Sequence, residues 1–200
     1  MKLDRIVPSI VRVGNGRGFV VQVEREKLVV TAAHGLPRLP PSHAASYDEE
    51  RTYPNFVGPV GEEPTVWIEC LFVDPIADIA VLGPPSHDDL YDQRDAYNAL
   101  LDGVDPIAIS EVRRRKSEAA WMLSLDMQWR RCTVRNLGGP LWVSDGAIES
   151  GMSGSPIVLG DGSAIGAVSI GNGQNPCLGH NLPGWILKKM DVGQEHVRWL

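Results

Sequence analysis

The sequence predicts an all-β protein, and three observations carry that reading. Apolar residues cluster in short Val-rich runs interrupted by Gly, Pro or charged residues. Helical periodicity is scarce over the first 83 residues, and the same strand pattern resumes after Pro106. Short strands joined by Gly/Pro turns indicate a sandwich or a barrel.

Taken in order, Val7 to Val13, Gly18 to Val23 and Lys27 to Thr31 read as strands. The stretch from Pro37 to Pro64 carries Pro40, Pro41 and Pro54 among mixed polar residues and reads mostly as loop, with room for a short hairpin. Val66 to Val73 and Ile79 to Leu82 are apolar enough for buried strands. Gly83-Pro84-Pro85 closes this first lobe, at about residues 1–83. Asp88 to Leu101 has acids near its start and Leu90, Tyr91, Tyr97, Leu100 and Leu101 as apolar positions, which predicts a helix within a connector at about 84–112. Further strands are expected over Ala119 to Leu125, Arg130 to Asn136, Leu141 to Val143, Pro156 to Leu159 and Ala164 to Ile170. Turns at Leu137-Gly138-Gly139-Pro140 and Gly160-Asp161-Gly162 separate them. Trp185 to Met190 is expected to form a closing C-terminal helix, completing a second lobe at about 113–200.

Composition narrows the class. The chain has 200 residues, 43% apolar and 22% charged, which suits one domain with a real core. A net charge of −6 argues against non-specific nucleic-acid binding. No run reaches the roughly 18 apolar residues of a membrane-spanning helix. Met1 to Pro8 lacks the apolar stretch and cleavage site of a signal peptide. The cysteines Cys70, Cys132 and Cys177 are odd in number and suggest no disulfide framework. A reducing, cytoplasmic setting is the expectation.

Chemistry concentrates in three segments. Gly151-Met152-Ser153-Gly154-Ser155-Pro156 sets a serine between glycines, where a tight turn can expose its hydroxyl and free the neighbouring N–H groups. A hydroxyl is a weak nucleophile until a base takes its proton. Thr31-Ala32-Ala33-His34 offers the base, and Asp74-Pro75-Ile76-Ala77-Asp78-Ile79-Ala80-Val81-Leu82 offers an acid, Asp78, to orient it.

These segments, in the order His, Asp, Ser, resemble the trypsin/chymotrypsin-like serine peptidases. Gly16-Arg17-Gly18-Phe19-Val20-Val21 followed by Val29 to His34 looks like the strand pair leading to the family's catalytic histidine. Asp78 to Leu82 is similar to the segment holding its aspartate, Gly151 to Pro156 to its nucleophile loop, and Ala167-Val168-Ser169-Ile170-Gly171 to the strand beside bound substrate. The likeness runs from about Gly16 to Trp185. It implies two six-stranded antiparallel β-barrels with the active site in the crevice between them. It also implies roles: Ser153 as nucleophile, His34 as base, Asp78 as its orienter, and the N–H groups of Gly151 and Ser153 as the oxyanion hole. Ser169, Ile170 and Gly171 would line the substrate.

Departures from the family pattern are informative. Met152 stands where secreted members carry an aspartate that pairs with a newly cut N-terminus, so no zymogen-style activation is expected. Gly35 follows His34 where many extracellular members have a disulfide cysteine, which places the chain nearer the disulfide-free bacterial branch. Ala147 falls where the family puts the floor of the specificity pocket, and Cys177 on its wall. Neither is charged, so a small or medium apolar residue is expected before the cut. Glu149 turned inward would instead favour a basic residue.

Plainer readings compete at several positions. Asp74, beside Pro75, is the rival orienter and suits a turn. Ser155 is the rival nucleophile but lacks the flanking glycines. Cys177 and His180 have a Cys-x-x-His spacing without further ligands, which is weak evidence for zinc. Arg113-Arg114-Arg115-Lys116 reads as a solvated loop or a dock for an acidic partner. Trp67, Trp121, Trp129 and Trp142 fall in expected strands, where barrel packing explains them. An α/β-hydrolase would need glycine at Ser155, with its acid and histidine after the serine. The resemblance therefore implies a serine endopeptidase acting on peptides or proteins, with no metal or other cofactor. The alternative on the same scaffold is a latent or partner-gated binding module, for which an activating protein partner is expected.

Overall fold

The computed structural model describes residues 2–41, 48–110, 116–138, 140–170 and 177–181. Among these residues, twelve strands form two closed six-stranded antiparallel barrels. The first contains β1 (Ile10–Val13), β2 (Gly16–Val23), β3 (Glu26–Thr31), β4 (Thr52–Pro59), β5 (Val66–Asp74) and β6 (Ile79–Gly83), in the order β1-β2-β3-β6-β5-β4. The second contains β7 (Ser117–Leu123), β8 (Trp129–Asn136), β9 (Pro140–Ser144), β10 (Pro156–Val158), β11 (Ala164–Ile170) and β12 (Cys177–Asn181), in the order β10-β11-β12-β9-β8-β7. A short helix α1 (Asp48–Arg51) precedes β4, and α2 (Tyr91–Leu101) lies in the connector. Among the described residues, no helix is long and apolar enough to cross a membrane.

The continuous apolar runs have a direct cause. Successive strand side chains point to opposite faces, and here both faces are buried. In β2, Val20 faces the interior of the first barrel while Phe19 and Val21 face the second. In β3, Val29 points inward and Leu28 and Val30 outward; in β6, Ala80 and Leu82 point inward and Ile79 and Val81 outward. The outward set meets Leu123, Val158, Ala164 and Ala167 of the second barrel in a shared core. A separate core, with Met122, Val134, Val143, Ile157 and Val168, fills the second barrel. The connector stitches the barrels: Ile107 N–H donates to Val20 O and Ala164 N–H to Ala108 O, both at 2.8 Å. On α2, Tyr97 and Leu101 face the first barrel, and the Tyr97 hydroxyl donates to Lys27 O at 2.9 Å.

Three local expectations need correction. The segment from Val7 was expected to be strand, yet Lys2–Ser9 is a 3-10 helix and pairing begins only at Ile10. Leu3 explains the preference: it is 1% exposed in the inter-barrel core, and its carbonyl accepts from the Trp129 indole at 3.0 Å. The stretch expected to be loop contains β4, which pairs with both β1 and β5 and closes the first barrel. Its register shifts between Tyr53 and Val57, and Asn55 sits at φ +50°, so an irregularity absorbs Pro54, which has no N–H to donate. Trp142 lies in β9 but is 42% exposed, so barrel packing does not account for it. The expected helix over Trp185 to Met190 and the run Arg113 to Arg115 lie outside the described residues.

Cys70 and Cys132 are buried and unpaired with other cysteines. Burial pushes the Cys70 thiol up to about 11 and the Cys132 thiol up to about 12. Because the thiolate is the reactive form, both should resist a maleimide in the folded protein at pH 7 and react after unfolding. Peptide mapping by mass spectrometry checks this; rapid labelling of either in the native state would contradict it.

Candidate active site

His34 follows β3 directly, in a one-turn 3-10 helix of Ala33–Gly35. Ala33 N–H donates to Asp78 O at 3.2 Å, which ties the end of β3 to the start of β6. The Asp78 carboxylate then holds His34 twice. Oδ1 accepts the His34 backbone N–H at 2.8 Å, and Oδ2 accepts from the ring Nδ1 at 2.8 Å. Asp78 itself sits at φ +50°, a conformation that Asp tolerates better than most residues. With the proton on Nδ1, Nε2 is left as an acceptor.

Nε2 lies 3.1 Å from Ser153 Oγ. The loop presenting Ser153 is two successive tight turns. Met152 N–H donates to Glu149 O at 3.1 Å with Gly151 at φ +96°, and Ser155 N–H donates to Met152 O at 2.9 Å with Gly154 at φ +80°. A positive φ at the third position of each turn is the type II pattern, which favours glycine. Ser153 occupies the second position of the second turn. Neither Gly151 N–H nor Ser153 N–H donates to an acceptor among the described residues. Met152 is 1% exposed in the second barrel's core, and its sulfur accepts the Glu149 N–H at 3.3 Å. The loop is therefore anchored by an apolar plug, Met152.

Both barrels hold the serine. Gly154 N–H donates to Val168 O in β11, and Arg17 N–H in β2 donates to Ser153 O, each at 2.8 Å. A Cβ on Gly16 would come within 2.7 Å of Ser153 O, so the close approach of β2 requires that glycine. Ser169 was expected to line the substrate. Its hydroxyl donates to Asp78 Oδ2, a bond that also crosses between the barrels. Its carbonyl lies 3.4 Å from Ser153 Oγ, a longer alternative to the histidine. The Asp78 carboxylate thus accepts from a backbone amide, a ring and a hydroxyl, while its residue is 8% exposed. No pattern in the sequence signals that role for Ser169, because it depends on β11 passing Asp78.

The rivals are placed elsewhere. Asp74 Oδ1 accepts the N–H groups of Ile76 and Ala77, both at 2.9 Å, as a turn cap. Ser155 is 0% exposed, out of reach of a molecule arriving from solvent. Ala147 and Glu149 are exposed, and Ile170 is 64% exposed at the end of β11. The backbone of Cys177 pairs with Val143 in β9. Gly171 and the side chains of Cys177 and His180 lie outside the described residues. Among the described residues, no group of His, Cys, Asp and Glu side chains is arranged to hold a metal ion.

Comparison with solved structures defines the class: the chain has the trypsin-like double-barrel fold of serine proteases. It is similar to the Rv3671c protease of M. tuberculosis in its inactive form, with a TM-score of 0.55 and 16% identity over 96% of this chain and 93% of that one. It is also similar to the MamO protease domain of Magnetospirillum magneticum in its apo form, at 0.56 and 14% over 92% and 96%. The serine protease of human pathogenic astrovirus follows at 0.52 and 15% over 88% and 89%. Identity this low speaks for the fold alone. No family model and no curated protein matches the chain.

Proposed function

We propose that the protein is a serine endopeptidase that cleaves peptide bonds through an acyl-enzyme. The observation that carries this reading is the His34 ring set between Asp78 at 2.8 Å and Ser153 at 3.1 Å. Ser153 Oγ attacks the scissile carbonyl as Nε2 takes its proton. The carbonyl oxygen becomes an oxyanion beside the unused N–H groups of Gly151 and Ser153. The C–N bond breaks, the proton passes from Nε2 to the leaving amine, and water repeats the sequence to release the acid. Asp78 keeps Nδ1 protonated and stabilises the imidazolium.

The experiment is labelling with a fluorophosphonate probe. Wild type should label without any added partner, and Ser153→Ala should not. A wild type that never labels would sink the reading and favour the partner-gated or binding module. Because Met152 anchors the nucleophile loop through the core, the reading includes a site formed without an activating protein.

Two outcomes follow from particular residues. Ser169→Ala removes one hydrogen bond to the Asp78 carboxylate and should lower kcat roughly tenfold, the value of about 1.5 kcal/mol for a bond to a charged group. KM should stay near wild type; an unchanged kcat would count against the role. Ala147 offers no charge to a basic side chain, so peptides with Ala, Val or Leu before the cut should be preferred. Efficient cleavage after Arg in a panel varying only that residue would transfer the specificity to Glu149.

A further inference from the structure

Arg17 is 5% exposed, yet no hydrogen bond or ion pair in the structure ties it to a carboxylate among the described residues. It reaches from β2 of the first barrel to the β7–β8 turn of the second. Nη1 donates to Leu123 O and Ser124 O, each at 3.0 Å, and Nη2 to Leu125 O at 3.3 Å. Three consecutive carbonyls converge on one planar fork, a geometry that an ammonium group does not reproduce. The main chain of the same residue serves the nucleophile. Its N–H holds Ser153 O at 2.8 Å, and its carbonyl accepts the Thr31 hydroxyl at 2.7 Å, three residues before His34. The turn that the guanidinium grips lies beside the other end of the nucleophile loop: Leu125 Cδ2 is 3.4 Å from where a Cβ on Gly151 would stand.

We propose that the Arg17 side chain is a positioning residue that fixes the Gly151–Ser153 loop from the opposite barrel, acting through the β7–β8 turn and Leu125. The inference rests on the peptidase reading for its kinetic consequence, but not for its structural one. The backbone bond to Ser153 is available to any residue but proline, so the side chain's own contribution is the hold on the turn. Without the fork, three carbonyls lose their donor, the turn relaxes, and Leu125 no longer backs Gly151, whose N–H is one of the two unused donors. A simple rivet between barrels would lack this route, because its loss would loosen both barrels alike.

The test is amide hydrogen exchange on the full chain, read by mass spectrometry, for wild type, Arg17→Met and Leu125→Ala. Both variants should speed exchange of the amides of Met152 and Ser155 by about tenfold or more, Arg17→Met because three carbonyls lose their donor and Leu125→Ala because the side chain beside Gly151 is gone. The strands β10 and β11 should keep their protection. Leu125 is 44% exposed, so its truncation leaves the fold intact should Arg17→Met fail to fold. Both variants should also lower kcat with KM changed by less than about threefold, the pattern of a loss confined to the transition state. Faster exchange limited to residues 123–128, or spread evenly over both barrels, would overturn the proposal. So would a kcat equal to wild type in an active enzyme. A wild type that cleaves nothing would sink the peptidase reading, and the exchange data would still decide whether Arg17 holds the loop.

Discussion

Ser153→Ala and His34→Ala are each expected to lower kcat by about 10⁴- to 10⁶-fold, with the double variant little worse than either single one. The reason is that in the proposed mechanism the two side chains act as one unit. Without Oγ, the imidazole has no proton to accept from a nucleophile. Without Nε2 at 3.1 Å, the hydroxyl is a neutral alcohol at neutral pH. Asp78→Asn should cost less than His34→Ala but still about 10⁴-fold, because an amide can donate to Nδ1 and so favours the wrong tautomer. Residual activity from oxyanion stabilisation and binding alone should remain above the uncatalysed rate. Rates on a peptide amide, with each variant's folding checked by denaturant titration, measure these losses. A Ser153→Ala protein that still turns over at the wild-type rate would end the proposed mechanism.

Gly154→Ala should be the most damaging alanine substitution among the described glycines. A Cβ there would lie 2.0 Å from Arg17 O and 2.5 Å from Thr31 Oγ1, and the backbone already sits at φ +80°. Neither neighbour can yield cheaply. Arg17 O accepts from Thr31, and Arg17 N–H holds Ser153. Left-handed strain and overpacking each cost about 1–3 kcal/mol, so the two together should cost about 2–6 kcal/mol. The same shift would displace Ser153, so activity should fall even in molecules that fold. Gly35→Ala is the matched control. Nothing lies within 4 Å of its Cβ, and a change within about 0.5 kcal/mol is expected. Urea titration of both variants reads the contrast. A Gly154→Ala protein as stable and as active as wild type would refute the packing argument.

Legibility in the sequence follows the range of the interactions. Strands β2, β3, β6 and β11 are legible because their two-sided burial writes runs of apolar residues into the chain, and β7 and β8 because buried residues alternate with exposed ones along much of their length. The helix ending at Leu101 is legible from its spacing. Strand β4 is not, since its prolines suit a loop as well as an irregular strand, and only pairing with β1 and β5 selects the latter. Leu3 likewise gives no local hint that it will turn away from a sheet to fill the inter-barrel core.

For the site, the chain by itself determines which local segments can present a base, a carboxylate and a hydroxyl, because glycine-flanked turns and strand ends are short-range features. The tertiary structure alone decides what meets what. It brings the ring of His34 between Asp78 and Ser153, sets the Ser169 hydroxyl on Asp78, buries Ser155, and sends Arg17 across to the carbonyls of Leu123, Ser124 and Leu125. Each of these depends on two barrels packing at one register. That register is set by a shared apolar core whose members lie far apart in the chain, and no local pattern encodes it.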